Sequence, residues 1–238
     1  MKCIILCAGY ATRLYPLTEN FPKPLLEVKH KSIVNHLIDD LEQEHKIDQY
    51  IIVSNHKFIN HFNEWKKTRK EDIVVLDDLS TSNENRIGAV RDIYFAIKSL
   101  NINDDVLILA GDNILDFSLN EFINYYEKIN KNCVMAYIEN DIKTLQRCGV
   151  SELDENNNII SMEEKPQNPK SNVVTPTFYI FKKEDLHLLD KALNEGCGVD
   201  APGNFLEWFT KQTTVNAFIM PGKRIDIGTL EDYNKYKD

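Results

Sequence analysis

The chain has 238 residues, of which 42% are hydrophobic and 27% are charged, and its formal net charge is -9. This length suits one large α/β domain with a sizeable core, and the composition is that of an ordinary globular protein. No apolar run is long enough for a membrane span, the first residues do not form a signal peptide, and the acidic balance argues against a broad nucleic-acid surface, so we expect a cytoplasmic protein with neither nucleic-acid nor membrane partners.

Short apolar runs alternate with amphipathic stretches from the first residue onward. The runs at 3–7, 50–53, 73–76, 106–110 and 133–138 are predicted to be buried strands. Apolar residues at helical spacing predict helices around 34–41, 59–62, 90–97 and 119–123. This βαβα order predicts a doubly wound, mainly parallel sheet, in which ligands bind beyond the carboxyl ends of the strands.

The pattern changes after about residue 140. Two apolar segments, 150–153 and 159–162, flank a turn-rich stretch and predict a β-hairpin. We further predict a strand over 173–181, a helix over 183–193 and a late strand over 215–220. Because no linker, repeat or low-complexity tract interrupts the chain, we expect residues 1–238 to form a single domain.

A small-residue turn directly follows the first predicted strand. It contains Gly9, Ala11 and Arg13, and Pro22-Lys23-Pro24 comes soon after it. A turn of this kind exposes backbone N–H groups to phosphate oxygens, while arginine and lysine add donors and positive charge. A solvated surface loop is the alternative for the glycine alone, but the combined spacing indicates a phosphate-binding loop.

Two aspartates are candidate functional residues because of their positions in the sequence. Asp112 follows the strand predicted at 106–110, although a turn aspartate is equally consistent with that position. Asp226 stands between Ile225 and Ile227, where an acidic group needs a partner.

Five ordered motifs make the sequence resemble the sugar-phosphate nucleotidylyltransferases over its whole length. They are Leu6 to Leu14 with Pro22-Lys23-Pro24, Ala110-Gly111-Asp112-Asn113, Cys148-Gly149-Val150, Glu163-Glu164-Lys165-Pro166 and Ile225-Asp226-Ile227-Gly228-Thr229. The resemblance implies a Rossmann-like nucleotidyltransferase fold, with a β-hairpin and helix elaboration that covers the substrate. It also implies Mg²⁺ held by Asp112 and Asp226, since this hard cation suits carboxylate and phosphate oxygens.

The resemblance further implies a role for each site residue. Residues 1–140 would bind the nucleotide, residues 141–238 the acceptor, and Arg13 and Lys23 would be catalytic. The nucleotide-binding residues would be Leu6, Ala8, Gly9, Tyr10, Ala11, Thr12, Arg13, Asn85 and Gly88. The acceptor-binding residues would be Gly149, Glu164, Lys165 and Thr177.

The implied reaction couples a nucleoside triphosphate to a phosphorylated acceptor, foremost a sugar 1-phosphate, with release of pyrophosphate. Four places depart from the family pattern: Ala11, where the opening loop of the family has its second glycine; Cys148, where many members have tyrosine; Thr175-Pro176-Thr177, where an Asn-x-Gly segment is common; and Arg224-Ile225, in place of a tryptophan. A cytidylyltransferase acting on a non-sugar phosphate or phosphonate therefore stays open, as does a non-catalytic nucleotide-sugar-binding protein or glycosyltransferase.

The sequence leaves the base, the acceptor and association into a homo-oligomer undecided. Because no hexapeptide repeats follow Tyr233, we expect the short form of the family, without acetyltransferase activity.

Overall fold

The computed structural model describes all 238 residues, with one large sheet that carries helices on both faces. The strands are β1 (Lys2–Leu6), β2 (Glu27–Val28), β3 (Lys31–Ser32), β4 (Gln49–Ser54), β5 (Ile73–Asp77), β6 (Val106–Ala110), β7 (Asn113–Leu115), β8 (Asn132–Ile138), β9 (Gly149–Leu153), β10 (Ile159–Glu164), β11 (Val173–Val174), β12 (Phe178–Phe181), β13 (Val215–Ile219) and β14 (Arg224–Asp226). The helices are α1 (Ile33–Leu41), α2 (Ile59–Lys66), α3 (Ala89–Ser99), α4 (Leu119–Ile129), α5 (Ile142–Leu145), α6 (Leu188–Asn194), α7 (Pro202–Phe209) and α8 (Leu230–Tyr236). None of these helices combines the length and the apolar character that crossing a membrane requires.

The central sheet runs in the order β10-β9-β11-β8-β12-β6-β1-β4-β5, and β13 also pairs with β8. Strand β1 lies between β6 and β4 and is parallel to both, with Leu6 in register with Ala110 and Val53. The carboxyl ends of three parallel strands therefore meet at one edge of the sheet, where a ligand site is expected. The predicted α/β class with a doubly wound, mainly parallel central sheet is confirmed.

Both faces of the sheet are buried. In β1, Cys3 and Ile5 join the core cluster that contains α1, α2 and α4, whereas Ile4 joins the cluster that contains α3, α6 and α7. Successive side chains of a strand point to opposite faces, so a strand covered on both sides must be apolar at every position. This explains the continuous apolar runs in the sequence.

The second half extends the sheet with antiparallel strands. The predicted hairpin is confirmed as β9 and β10, which pair antiparallel. The prediction of a single strand over 173–181 is wrong, because Thr175-Pro176-Thr177 separates β11 from β12. Pro176 has no N–H to donate to a neighbouring strand, which interrupts the ladder at that point. The helix expected over 183–193 is likewise divided into a 3₁₀ turn, Lys183–Asp185, and α6.

A small two-stranded sheet outside the central one had no counterpart among the sequence predictions. It consists of β7 and β14, which pair antiparallel so that Asp226 lies opposite Asn113. The backbone N–H of Ile227 also donates to the carbonyl of Asp112. This pairing carries the end of the chain back to the carboxyl edge of β6.

Candidate active site

The loop after β1 is held against the sheet by a buried asparagine that follows β4. The side-chain amide of Asn55 donates to the carbonyl oxygen of Ala8 at 2.9 Å, and its Oδ1 accepts from the backbone N–H of Phe58 at 3.0 Å. Asn55 is completely buried, and its amide joins this loop to the start of α2. Sequence reasoning missed this residue, although a polar residue directly after a buried strand is a recognisable signal.

Ala11 adopts a left-handed backbone conformation, with φ 47° and ψ 42°. An L-residue with a side chain is disfavoured there, and the family's glycine at this position would not be. The carbonyl oxygen of Ala11 accepts from the hydroxyl of Thr18 at 2.8 Å and from the N–H of Leu14 at 2.9 Å, which holds the turn in place. The following 3₁₀ turn leaves the side chain of Arg13 exposed above the sheet edge.

The segment after β6 reaches the same edge because residue 111 has no side chain. A Cβ atom at Gly111 would lie only 2.6 Å from the Sγ atom of Cys7. Glycine thus allows the backbone before Asp112 to approach the loop after β1 closely. The β7–β14 pairing brings Asp226 to the same place.

Lys23 connects the two carboxylates. Its Nζ atom lies 2.8 Å from Oδ2 of Asp112 and 3.6 Å from Oδ1 of Asp226, and only 7% of its side chain is exposed. Enclosure by protein raises the pKa of Asp112, but the charge and hydrogen bond of Lys23 outweigh that effect and lower it below its usual value. The pKa of Asp226 is raised, first by enclosure and then by the negative charge of Asp112.

Arg224 forms a second cationic group beside this pair. Its Nη1 atom donates to Oδ1 of Asn113 at 2.6 Å and lies 3.5 Å from Oδ2 of Asp226. The guanidinium also stands over the ring of Tyr137, with its Cζ atom 5.7 Å from the ring centroid. Arg224 is therefore fixed at the rim of the site.

The two aspartates suit a divalent cation that also binds phosphate. Asp112 and Asp226 are close enough for one negative charge to raise the pKa of the other carboxyl, a repulsion that a divalent cation between them would relieve. No cluster of three acidic, thiol or imidazole groups exists that could enclose a metal by itself. A pair of carboxylates completed by phosphate oxygens and water is how Mg²⁺ is commonly bound, so the donor set fits Mg²⁺.

Three cavities open around these residues. The central cavity has a volume of about 320 Å³ and is lined by Leu6, Cys7, Ala8, Gly9, Ala11, Arg13, Leu14, Lys23, Pro24, Ala89, Asp92, Ala110, Asp112, Thr177, Pro202 and Gly228. The α3 cavity, of about 330 Å³, is lined by Ala8, Gly9, Tyr10, Ala11, Thr12, Arg13, Asp78, Asn83, Arg86, Gly88, Ala89, Asp92 and Asp200. The outer cavity, of about 1040 Å³, lies beside Asp226 and is lined by Arg13, Tyr137, Ile138, Glu139, Thr144, Arg147, Cys148, Ile219, Met220, Gly222, Lys223, Arg224, Asp226, Gly228, Thr229 and Asp232.

The walls of these cavities contain most of the residues selected from the sequence. Asn85 is the exception among the nucleotide-binding candidates. Its Oδ1 accepts from the N–H groups of Thr81 and Ser82, and its Nδ2 donates to the hydroxyl of Thr81, so its amide serves its own loop. Asn83, two residues earlier, lines the α3 cavity instead.

Three of the four acceptor-side candidates, Gly149, Glu164 and Lys165, form a separate group at the ends of β9 and β10. The Oε2 atom of Glu164 lies where a Cβ atom on Gly149 or Gly203 would approach it, at 3.0 Å and 1.8 Å respectively. Burial raises the pKa of Glu164, and the nearby charge of Lys165 opposes the shift. The Nζ atom of Lys165 lies 3.8 Å from Oε1 of Glu164 and is half exposed. Of the acceptor candidates, Thr177 lines the central cavity.

Known proteins are similar to this chain over almost its whole length. The family model described as nucleotidyl transferase matches residues 2–238. The chain is 30% identical to the bifunctional protein GlmU of Methanocaldococcus jannaschii over 99% of its own length, but spans only 54% of that protein. It is 25% identical to the UTP–glucose-1-phosphate uridylyltransferase AglF of Haloferax volcanii, over 98% of this chain and 93% of the other.

A solved UDP-glucose pyrophosphorylase complexed with UDP-glucose has a similar fold. The TM-score is 0.78 at 20% identity, with 98% of this chain and 96% of the other covered. At this identity the likeness concerns the fold alone.

Proposed function

We propose that this chain, which belongs to the nucleotidyl transferase family, couples a nucleoside triphosphate to a small phosphorylated acceptor and releases pyrophosphate. The observation that supports this most directly is the convergence of Lys23, Asp112 and Asp226 beside the Gly9 to Arg13 loop. Phosphate groups need such donors and positive charge, and parallel strand ends are where ligands of this fold class bind.

The reaction is a substitution at the α-phosphorus. An oxygen of the acceptor phosphate forms the new P–O bond, and the bond from the α-phosphorus to the bridging oxygen breaks, so that both electrons leave with pyrophosphate. The acceptor oxygen is already anionic, so no general base has to remove a proton. The work of the site is to bring two anions together and to stabilise the charge of the leaving group.

Two basic residues of the chain can bind the phosphates and stabilise their charge. Arg13 lines all three cavities and can reach the phosphates from the solvent side. Lys23 is buried and can donate hydrogen bonds to the phosphates from the protein side. The ammonium of Lys23 offsets part of the negative charge of Asp112 and Asp226, which would otherwise repel the substrates. Mg²⁺ bound by the two aspartates would neutralise phosphate charge and orient the triphosphate.

A sugar 1-phosphate is the leading acceptor, in keeping with the names of the relatives. Residues 1–140 would contribute the nucleotide side, and residues 141–238 would contribute the acceptor side through Gly149, Glu164 and Lys165. A second candidate is an acceptor with a further anionic group. It is favoured by the outer cavity, which is large and has four cationic residues in its wall, Arg13, Arg147, Lys223 and Arg224, against three acidic ones, Glu139, Asp226 and Asp232.

Pyrophosphate release tests the proposal. The full chain is mixed with each of CTP, GTP, UTP, ATP and dTTP and with a panel of sugar, acidic and non-sugar phosphates and phosphonates, in the presence of Mg²⁺. We expect release with one nucleotide and one acceptor class, and loss of at least about a hundredfold in kcat/KM for Lys23→Met and for Asp112→Asn. The exposed Lys128→Met is the matched control for the loss of one lysine charge. Parental rates in folded Lys23→Met and Asp112→Asn proteins would refute the proposed reaction.

A further inference from the structure

A buried carboxyl group in the wall between the central cavity and the α3 cavity has no role in the reaction described above. Asp92 lies in the first turn of α3 and lines both cavities, yet only 5% of the residue is exposed. Its Oδ1 atom is enclosed and has no hydrogen-bond partner. A buried carboxyl without a partner is unfavourable, so its presence here needs an explanation.

No contact within the fold explains why the Asp92 carboxyl is buried. An acidic residue in the first turn of a helix interacts favourably with the helix dipole, but it can do so while it remains exposed and hydrated. No basic side chain forms an ion pair with Asp92, and the nearby Arg86 is paired with Asp200 at 2.6 Å. The neighbouring acidic residue of the α3 cavity, Asp78, is already bonded to Ser80. No hydrogen bond or ion pair within the protein reaches the Asp92 carboxyl, so a partner would have to come from the cavities that it lines.

The position of Asp92 indicates which part of a ligand it would meet. The central cavity contains Lys23 and Asp112, the groups suited to phosphates and a cation, whereas the α3 cavity extends away from them toward Asn83 and Gly88. A nucleoside triphosphate that occupies both places its nucleoside against their shared wall. A carboxylate would repel phosphate oxygens, but it accepts readily from N–H and O–H groups.

We propose that Asp92 selects the nucleotide by accepting a hydrogen bond from a donor on its nucleoside, either an N–H of the base or a hydroxyl of the ribose. This inference rests on the proposed function, because it assumes that a nucleoside triphosphate fills the two cavities. It assigns Asp92 to specificity, with no part in the bond-making step.

Equilibrium binding without an acceptor tests the role of Asp92 apart from the reaction. Dissociation constants of the full chain with Mg²⁺ are measured at pH 8.5, above the pKa of about 8 to which burial raises Asp92, for CTP, GTP, UTP and ATP and for the matching deoxynucleotides. The same set is measured for Asp92→Asn, which keeps the shape of the side chain, and for Asp92→Ala, which removes the acceptor. Glu155→Gln is the control for the loss of one acidic charge, since Glu155 is exposed in the β9–β10 turn and lines none of the three cavities.

We expect both Asp92 variants to change a selectivity ratio by about tenfold or more, the effect of one charge-assisted hydrogen bond. A change in the ratios among bases identifies a base N–H as the donor, and a change in the ribo-to-deoxy ratio identifies a ribose hydroxyl. Glu155→Gln should leave every ratio unchanged. Ratios within about twofold of the parent in both Asp92 variants overturn the role of Asp92 and leave the proposed function intact. A parental protein that binds none of the nucleotides overturns both.

Discussion

Replacing Asp92 by asparagine should stabilise the ligand-free protein increasingly as the pH rises. Burial, followed by the charge of Asp78, raises the pKa of Asp92 from 3.8 to about 8. Between these two pH values the folded protein holds a proton on Asp92 that the unfolded chain has already lost. The unfolded state therefore binds fewer protons, and the free energy of unfolding falls as the pH increases.

The size of the effect follows from the same two values. Each pH unit in this window lowers the free energy of unfolding by about 1.4 kcal/mol, so that ionised Asp92 destabilises the protein by about 6 kcal/mol above pH 8. The asparagine of the variant would not ionise, but its buried amide would still lack partners, at a cost of about 1–3 kcal/mol at every pH. Asp92→Asn should therefore be close to the parent near pH 5.5 and more stable by about 3–5 kcal/mol at pH 8.5.

Urea unfolding followed by tryptophan fluorescence at pH 5.5, 7 and 8.5 measures this difference. Glu155→Gln is the control, because Glu155 is an exposed acid in the β9–β10 turn and its replacement should leave no pH-dependent difference from the parent. A gap between Asp92→Asn and the parent that changes by less than about 1 kcal/mol over this range would show that Asp92 is not held in its protonated form.

Three further predictions concern the loop, the acceptor side and the metal. Ala11→Gly should raise the free energy of unfolding by about 0.5–1 kcal/mol, since φ at this residue is 47°; a lower urea midpoint would contradict it. Gly203→Ala should displace the Glu164 carboxylate, which lies 1.8 Å from the added Cβ position, and raise KM for the acceptor with little change in KM for the nucleotide. Equal changes in the two KM values would show that Glu164 is not part of the acceptor site. Millimolar Mg²⁺ should raise the melting temperature of the parent but not of Asp226→Asn, and an equal rise in both would place the cation elsewhere.

The sequence predicts the central sheet well because local patterns determine its strands. The apolar run of β1 indicates a strand covered on both faces, and the helical spacing in α1 and α4 indicates which residues meet the sheet. The predictions are less accurate where pairing is short and non-local. Strands β7 and β14 have three residues each and pair across more than a hundred residues of sequence, so neither has a periodic pattern of its own.

The candidate site divides in the same way. Gly9, Arg13 and Lys23 belong to motifs that can be recognised in the sequence. The proximity of Asp112 and Asp226, in contrast, depends on the β7–β14 pairing. The sequence indicated Asp226 only through its apolar neighbours and the family resemblance. Only in the structure do Lys23 and both aspartates form one charged group.

Asp92 shows why sequence reasoning overlooked a candidate that the fold makes conspicuous. An acidic residue in an amphipathic helix is normally assigned to its solvated face. In α3, however, Ile93 follows Asp92 and Ala96 lies one turn beyond it, and both are core residues. Residues four apart share a helix face, so this spacing already puts the carboxyl on the buried side. What the spacing does not reveal is that Asp92 also lines two cavities, while its Oδ1 atom is enclosed without a hydrogen-bond partner.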